Sequence, residues 1–150
     1  MYIHDDFRFL QTINKPGISI EHQIAIISPR EDMSVRICIV SVYKKPRLPI
    51  HQFLVQLESI LHMIRVGLPT IVTGDLSIDL LKQQTSSEQL LKLFQYRGLF
   101  QHVQIPTHRQ GGLLDHMYSN LQPEAVGVIP TFYSDQFLLS MAVPLQNLKY

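Results

Sequence analysis

The sequence lacks the features that would assign it at once to a secreted, membrane or strongly nucleic-acid-binding class. Its 150 residues contain no tryptophan and one cysteine, so no internal disulfide can form and a reducing compartment is expected. No apolar run approaches the roughly 18 residues that a transmembrane helix needs, and the N-terminus lacks the basic segment of a signal peptide. The formal net charge of +1 gives no overall attraction for DNA or anionic membranes. We therefore expect an intracellular protein, nuclear or cytoplasmic, that does not enter a membrane.

The composition is that of one compact globular domain. Of the residues, 45% are hydrophobic and 17% are charged, which is enough apolar material for a buried core. No internal repeat, low-complexity tract or linker divides the sequence. Residues 1–150 are therefore predicted to form a single α/β domain.

The first part of the chain has the patterns of β-strands. Phe7–Ile13, His22–Ser28 and Val35–Tyr43 are apolar or alternating segments, and the last contains the single cysteine, Cys38. The segment Asn14–Gly17 (Asn-Lys-Pro-Gly) is a strong turn signal. These segments predict three strands in hairpin order.

The period of the pattern then changes from strand to helix. Apolar residues recur at spacings of three and four, which predicts an amphipathic helix: Ile50, Phe53, Leu54, Leu57, Ile60, Leu61 and Ile64. A short buried strand, Thr70–Thr73, follows. A second helix is expected to begin at Thr85, whose spacing from Glu88 is that of a capping box, and to end at Gly98. Three strand-like segments complete the chain: Leu113–Tyr118, Ala125–Thr131 and Phe137–Val143.

Three carboxylates stand where they could support chemistry. Asp75 follows the buried strand, and polar groups at strand ends of layered α/β folds can bind a hard cation or accept a proton from water. Asp115 interrupts an apolar run, where a carboxylate is costly unless it is paired or hydrogen-bonded. Asp135 follows Ser134 at a turn between two strands. Each also has a structural interpretation, as a turn former for Asp75 and Asp135 and as a paired carboxylate for Asp115.

Five segments match, in order along the chain, motifs of one known family. Thr73–Ser77 (Thr-Gly-Asp-Leu-Ser) is similar to a Gly-Asp-Phe-Asn motif, and Pro106–His116 to a strand with the pattern Thr-x-x-x-Gly-x-x-(Ile/Leu)-Asp. Thr131–Gln136 (Thr-Phe-Tyr-Ser-Asp-Gln) resembles a closing Ser-Asp-His motif. Val42–Pro46 (Val-Tyr-Lys-Lys-Pro) resembles a Val-Tyr-Arg-Pro-Pro segment. Tyr2–Asp6 resembles the strand that opens these elements. The family they resemble is the endonuclease/exonuclease/phosphatase superfamily, which has the DNase I-like fold.

Within this superfamily the chain is most similar to the endonuclease domains of eukaryotic mobile elements, namely LINE-type retrotransposons and Helitron-associated endonucleases. The resemblance implies an α/β fold, a partial DNase I-like two-layer α/β sandwich with mostly antiparallel sheets and flanking helices. The family's first strands supply an Asn and a metal-binding Glu, and we expect them to be missing because Met1 falls after both. The resemblance also implies Mg²⁺ as the cofactor and a phosphodiester as the substrate, and without the metal-binding Glu we expect Mg²⁺ binding to be weakened or lost.

The resemblance also assigns roles to four residues. Asp75 matches the carboxylate that orients or deprotonates the attacking water, and Tyr43 matches a residue near the scissile phosphate. Asp115 matches the acid that holds the catalytic histidine, as an orienting partner does in a triad. Asp135 matches the metal-linked acid of the closing motif.

Two positions depart from the family pattern. Ser77 replaces the Asn of the Gly-Asp-Phe-Asn motif, so an amide is exchanged for a shorter hydroxyl. Gln136 replaces the histidine, and a glutamine neither carries charge nor transfers a proton near pH 7. Losing such a group typically costs roughly 10² to 10⁴ in rate. His116 is no obvious substitute, because on a strand it faces away from Asp115.

These observations leave three functional hypotheses. The first is a degenerate, non-catalytic remnant of a mobile-element endonuclease domain. The second is an active Mg²⁺-dependent endonuclease or phosphodiesterase that is completed by further N-terminal sequence or by a partner chain. The third is a non-catalytic nucleic-acid-binding or protein-interaction module, with Lys44, Lys45 and Arg47 as its DNA contacts. We also predict self-association through an exposed sheet edge.

Overall fold

The computed structural model describes residues 1–14 and 17–148, and these form two antiparallel-rich sheets and two α-helices. The predicted turn at Asn14–Gly17 lies partly outside the described residues. The strands are β1 Phe7–Ile13, β2 Glu21–Pro29, β3 Ile37–Tyr43, β4 Thr70–Asp75, β5 Phe100–Gln101, β6 Asp115–Ser119, β7 Ala125–Ile129 and β8 Leu138–Ala142. The helices are α1 Ile50–His62 and α2 Thr85–Tyr96, followed near the end by a 3₁₀ turn at Leu145–Leu148.

The larger sheet brings together the strand ends that carry the predicted site. Its order is β1-β2-β3-β4-β6-β5, and β7 and β8 form a separate two-stranded sheet. Strands β3 and β4 are parallel with α1 between them in sequence, whereas the other pairs are antiparallel. Since parallel strands end at the same sheet edge, Tyr43 and Asp75 lie at one edge. Antiparallel β6 begins at that edge with Asp115.

The two faces of the larger sheet are covered differently. Alternate residues such as Val40 and Val72 face the helices and pack with Phe53 and Phe94 in the main core. The Phe94 ring stacks on Tyr118 with centroids 3.6 Å apart. On the other face a second cluster joins the larger sheet to the β7–β8 hairpin: Ile71, Val103, Leu113, Met117, Val128, Leu139 and Met141. The result is the two-layer α/β sandwich with mostly antiparallel sheets and flanking helices that the sequence predicted.

The second helix begins at the expected residue without the expected cap. Gln84 is the N-cap residue, and no side chain caps the helix, so the capping box predicted for Thr85 and Glu88 does not form. Thr85 is already the first helical residue, one position too late to act as the cap. Ser87 instead donates its hydroxyl to carbonyl oxygens of the preceding loop, at 3.2 and 3.1 Å. The predicted end is confirmed, because Gly98 has φ +70° just after the helix.

Several strand boundaries differ from the predictions. Strand β3 begins at Ile37 and β6 at Asp115, each two residues later than the apolar pattern suggested. Strand β5, with two residues, is too short to produce a periodic pattern. Among the described residues, no helix combines the length and apolar character needed to cross a membrane.

Candidate active site

Strand β4 ends in an unusually close approach to β3. The main chain of Gly74 has φ +154°, and a Cβ atom placed there would lie 1.7 Å from the carbonyl oxygen of Val42. Just beyond, the Lys44 amide donates a hydrogen bond to the Asp75 carbonyl at 2.9 Å. Because only glycine permits this contact, it fixes where the Asp75 side chain leaves the sheet.

Both oxygens of the Asp75 carboxylate accept hydrogen bonds from the protein itself. Oδ1 accepts the Ser77 amide at 2.9 Å and the Ser77 hydroxyl at 3.1 Å. Oδ2 accepts the side-chain amide of Gln136 at 2.8 Å. The two residues that depart from the family pattern are therefore the two that hold this carboxylate.

Asp115 lies beside Asp75 as its register partner on β6. Burial, and then the neighbouring negative charge of Asp75, raise the pKa of the Asp115 carboxyl, while Thr107 and His108 oppose the shift. Its Oδ2 is buried without a hydrogen bond among the described residues. Buried Thr107 holds this segment, since its hydroxyl oxygen accepts the amides of Leu114 and Asp115 at 3.1 and 3.0 Å. The structure thus places two carboxylates side by side at one sheet edge.

Gln136 reaches this edge because two loops are bound together. His108 and Gln136 form an isolated antiparallel bridge, and the Phe137 amide donates to the Thr107 carbonyl at 2.8 Å. The Arg109 amide donates to the main-chain carbonyl of Asp135 at 2.9 Å. The Asp135 side chain is exposed, and no hydrogen bond or ion pair engages it within the described part of the chain. Asp135 is therefore next to Gln136 in the sequence. Among the described residues, however, no hydrogen bond or ion pair joins its side chain to Asp75 or Asp115.

The predicted basic cluster is divided by the fold. Lys44 is only 3% exposed, and its ammonium donates to the Lys45 carbonyl at 3.2 Å and lies 6.0 Å from the centre of the Phe53 ring. Burial lowers the pKa of Lys44, and the charge of Asp75 opposes that shift. Lys45 is exposed and forms an ion pair with Glu21 at 3.5 Å, while Arg47 is exposed. Lys44 cannot serve on the same outer surface as the other two.

Tyr43, through the pairing of β3 with β4, and His116, next to Asp115 in sequence, lie near the carboxylates but face different surroundings. Tyr43 is exposed at the end of β3 and lines a groove beside β2. His116 is fully buried on the helix side, where its Nε2–H donates to the Ile78 carbonyl at 2.9 Å and its Nδ1 accepts the Tyr118 hydroxyl at 3.0 Å. Burial lowers the pKa of His116 to about 4. His116 is thus a neutral core residue that faces away from Asp115, as strand alternation predicts.

Sequence reasoning missed the polar residues that line a cleft beside Ser77. This cleft has a volume of about 400 Å³, and His108 and Asp79 contribute to its walls. The Asp79 carboxylate accepts the amides of Leu81 and Leu113 at 3.1 and 3.0 Å. Burial acts to raise the pKa of Asp79, but these two hydrogen bonds and the charge of Lys82 outweigh it. The pKa of Asp79 is therefore lowered. The position of Asp79 two residues before Leu81 is a local turn signal, whereas its bond to Leu113 has no sequence signature.

The described residues do not fit a divalent cation. No group of three or more His, Cys, Asp or Glu side chains among them is arranged to hold a metal ion. The oxygens of Asp75 already accept three hydrogen bonds, and burial favours the protonated form of Asp115. Mg²⁺ is usually held by one or two carboxylates together with water, but in the neighbouring pair Asp75 is engaged by hydrogen bonds and Asp115 is favoured in its neutral form.

Comparison with known proteins identifies the fold. No protein-family model matches the chain, and no curated protein matches it significantly. Among solved structures, the endonuclease domain of TRAS1, a telomere-specific non-LTR retrotransposon, superposes with a TM-score of 0.71 and 16% identity, over 95% of this chain and 81% of that one. An endonuclease/exonuclease/phosphatase family protein from Leptotrichia buccalis gives a TM-score of 0.60 and 19% identity, over 81% of this chain and 53% of that one.

A third similar structure contains nucleic acid. Danio rerio TDP2 complexed with a single-strand DNA product gives a TM-score of 0.56 and 9% identity, over 88% of this chain and 64% of that one. The chain thus spans less than two thirds of the Leptotrichia and TDP2 chains. At these identities the likeness concerns the arrangement of strands and helices. The fold of this chain is that of the endonuclease/exonuclease/phosphatase domains, the DNase I-like fold.

Proposed function

We propose that this chain is a degenerate endonuclease domain of mobile-element type that does not hydrolyse phosphodiesters efficiently. The observation that carries the proposal is the hydrogen bond from the Gln136 amide to Asp75. Gln136 stands at the position where the family carries its histidine. Its side chain binds Asp75, which matches the carboxylate that the family uses to activate water. The similarity to the TRAS1 endonuclease domain supports the mobile-element origin.

Two physical effects oppose catalysis at this site. A general base accepts a proton through a lone pair directed at the attacking water, and Ser77 and Gln136 already donate to three of the about four lone-pair positions of the Asp75 carboxylate. A glutamine also supplies no positive charge and no transferable proton to the transition state. Loss of one charge-stabilising or proton-transfer group costs roughly 10² to 10⁴ in rate. The poor fit to a divalent cation adds to this loss.

Purified protein with Mg²⁺ or Mn²⁺ should not nick supercoiled plasmid above the level of an Asp75→Ala/Asp135→Ala double variant. The expected reason is that Gln136 binds Asp75 without supplying charge or a proton, and that no group of three metal-ligating side chains is formed among the described residues. Agarose gels of plasmid relaxation over several hours measure the difference. Nicking that depends on metal and disappears in the double variant would contradict the proposal. The variant Gln136→His/Ser77→Asn should remain nearly inactive, because these changes restore no metal ligand.

DNA is the partner class that we propose for this domain. The similar TDP2 structure contains a DNA product, and Lys45 and Arg47 are exposed near the end of β3. Lys44 is left out of this surface because it is buried. With a formal net charge of +1, binding has to rest on local contacts and should weaken as the salt concentration rises.

We also propose that the isolated chain self-associates through the edge of the β7–β8 sheet. Within the described residues this sheet has only two strands, so each offers one unpaired edge, and Leu138 and Ile129 are exposed on it. Light scattering at increasing concentration should give a mass above 17.3 kDa, and Leu138→Lys should shift it towards the monomer. Val55→Lys, which removes an exposed apolar residue from α1, is the matched control and should have no effect. A monomer at high concentration would contradict this proposal.

A further inference from the structure

Two aromatic rings project into solvent beside the candidate site. Phe132 is 94% exposed and Tyr133 is 76% exposed, on the loop that joins β7 to β8. Their ring centroids are 5.4 Å apart at an interplanar angle of 85°, so the pair is edge-to-face. Exposed aromatic rings grouped in this way are typical of a binding surface, because folding alone gains nothing from placing them in water.

The loop that carries these rings is braced by hydrogen bonds. The Thr131 hydroxyl lies 2.8 Å from the Gln136 carbonyl, and the Arg109 guanidinium donates to the Thr131 carbonyl. The main-chain amide of Gln136 donates to the Ser134 hydroxyl oxygen at 3.1 Å. The main chain that carries the rings is therefore held in place, so a ligand has to order only the two side chains.

The same loop reaches directly into the candidate site. Tyr133 is separated from Gln136 by two residues, and Gln136 donates to Asp75 across the sheet edge. A ligand that lies along this edge would therefore meet the rings. Arg109, tied to both ends of the loop, supplies the positive charge there, whereas exposed Asp135 supplies a negative one. With these charges opposed, stacking on the rings is the larger contribution available to a nucleic acid.

We propose that Phe132 and Tyr133 are a stacking site for unpaired bases of single-stranded DNA that passes the Asp75 edge. Base faces are free in a single strand and hidden in a duplex, and aromatic rings stack on any base. Arg109 contacts the backbone phosphate next to the stacked bases. The inference rests on the proposed function for its assignment of DNA as the partner, and it adds the strandedness and the contact residues.

The test is fluorescence anisotropy with a labelled 12-nucleotide thymidine strand in EDTA, which removes any contribution from metal or cleavage. Phe132→Ala/Tyr133→Ala should bind this strand about 10- to 100-fold more weakly than the unaltered protein. An abasic strand of the same length and charge should bind the unaltered protein as weakly as the thymidine strand binds the variant. The matched control is Tyr96→Ala, which removes a ring that is 82% exposed at the end of α2 and should leave binding unchanged.

A conservative variant reports on stacking directly. Since the protein contains no tryptophan, Phe132→Trp places a single indole on the loop. This variant should retain binding, and its fluorescence should be quenched by the thymidine strand and not by the abasic strand. Because both strands carry the same charge and meet the same folded population, a difference in quenching between them reports contact of the ring with a base.

Several outcomes would overturn the inference. Equal binding of thymidine and abasic strands would show that charge alone is responsible. Tighter binding of a 12-base-pair duplex, unaffected by the double variant, would remove the single-strand assignment while leaving DNA as the partner. If neither DNA bound, both the stacking site and DNA as the partner would be contradicted. If the protein bound no DNA and the double variant became monomeric, the rings would be assigned to contact with a second copy of the chain. Plasmid nicking would contradict only the proposed loss of catalysis, because this binding is measured without metal.

Discussion

Changing Gly74 to alanine is expected to destabilise the protein by roughly 4 kcal/mol or more, a large part of the roughly 5 to 15 kcal/mol by which native domains are stable. The new Cβ atom would lie 1.7 Å from the Val42 carbonyl oxygen and 2.8 Å from its carbon. Relief would require β3 and β4 to separate where the Lys44 amide bonds to Asp75. Urea denaturation followed by circular dichroism measures the change in unfolding free energy.

Gly98→Ala is the matched control for this prediction. Gly98 also has a positive φ, +70°, but a Cβ atom placed there meets nothing within 4 Å. Its cost should be limited to the left-handed backbone conformation, about 1 kcal/mol. Equal destabilisation by the two substitutions would mean that backbone conformation, and not the contact with Val42, makes glycine necessary at position 74.

Lowering the pH from 7 to 4 is expected to destabilise the protein by up to roughly 3 kcal/mol through His116 alone. Burial lowers the pKa of His116 to about 4, whereas the unfolded chain takes up this proton near pH 6.5. Between these values the unfolded state binds more protons, so acid favours unfolding. The stability is therefore intact above about pH 6.5 and is lost as the pH falls towards 4.

The variant His116→Gln isolates this effect. It can keep a donor near the Ile78 carbonyl but has no titration in this range, so its stability should fall less between pH 7 and 4 than that of the unaltered protein. Asp115 acts in the opposite direction. Burial raises its pKa, so the folded state binds this proton more readily than the unfolded state, and the contribution of Asp115 to stability increases as the pH falls. Parallel pH curves for His116→Gln and the unaltered protein would exclude the assignment to His116.

The positions of the main strands and helices, and of two site carboxylates, could be predicted from the sequence. Apolar residues at spacings of three and four gave α1, and Gly98 marked the end of α2 because only a residue tolerant of positive φ fits there. The sequence placed Asp75 at a strand end and Asp115 within a strand, whereas β6 begins at Asp115 and the fold brings the two carboxylates into register. These features depend on local periodicity and on short motifs, which are present in the sequence itself.

The state of the site depends on contacts that only the tertiary structure decides. Gln136 lies 61 residues from Asp75, and it reaches the carboxylate because the β7–β8 hairpin packs across the sheet and its loop is bound to the Thr107–Arg109 segment. Lys44 is buried because alternation past the end of β3 directs it towards Phe53, whereas a run of basic residues suggests a solvated loop. The sequence by itself determined which chemical groups are available, through residue identity and periodicity. Which of those groups meet was determined by long-range packing, because residues distant in sequence come together only when the two sheets do.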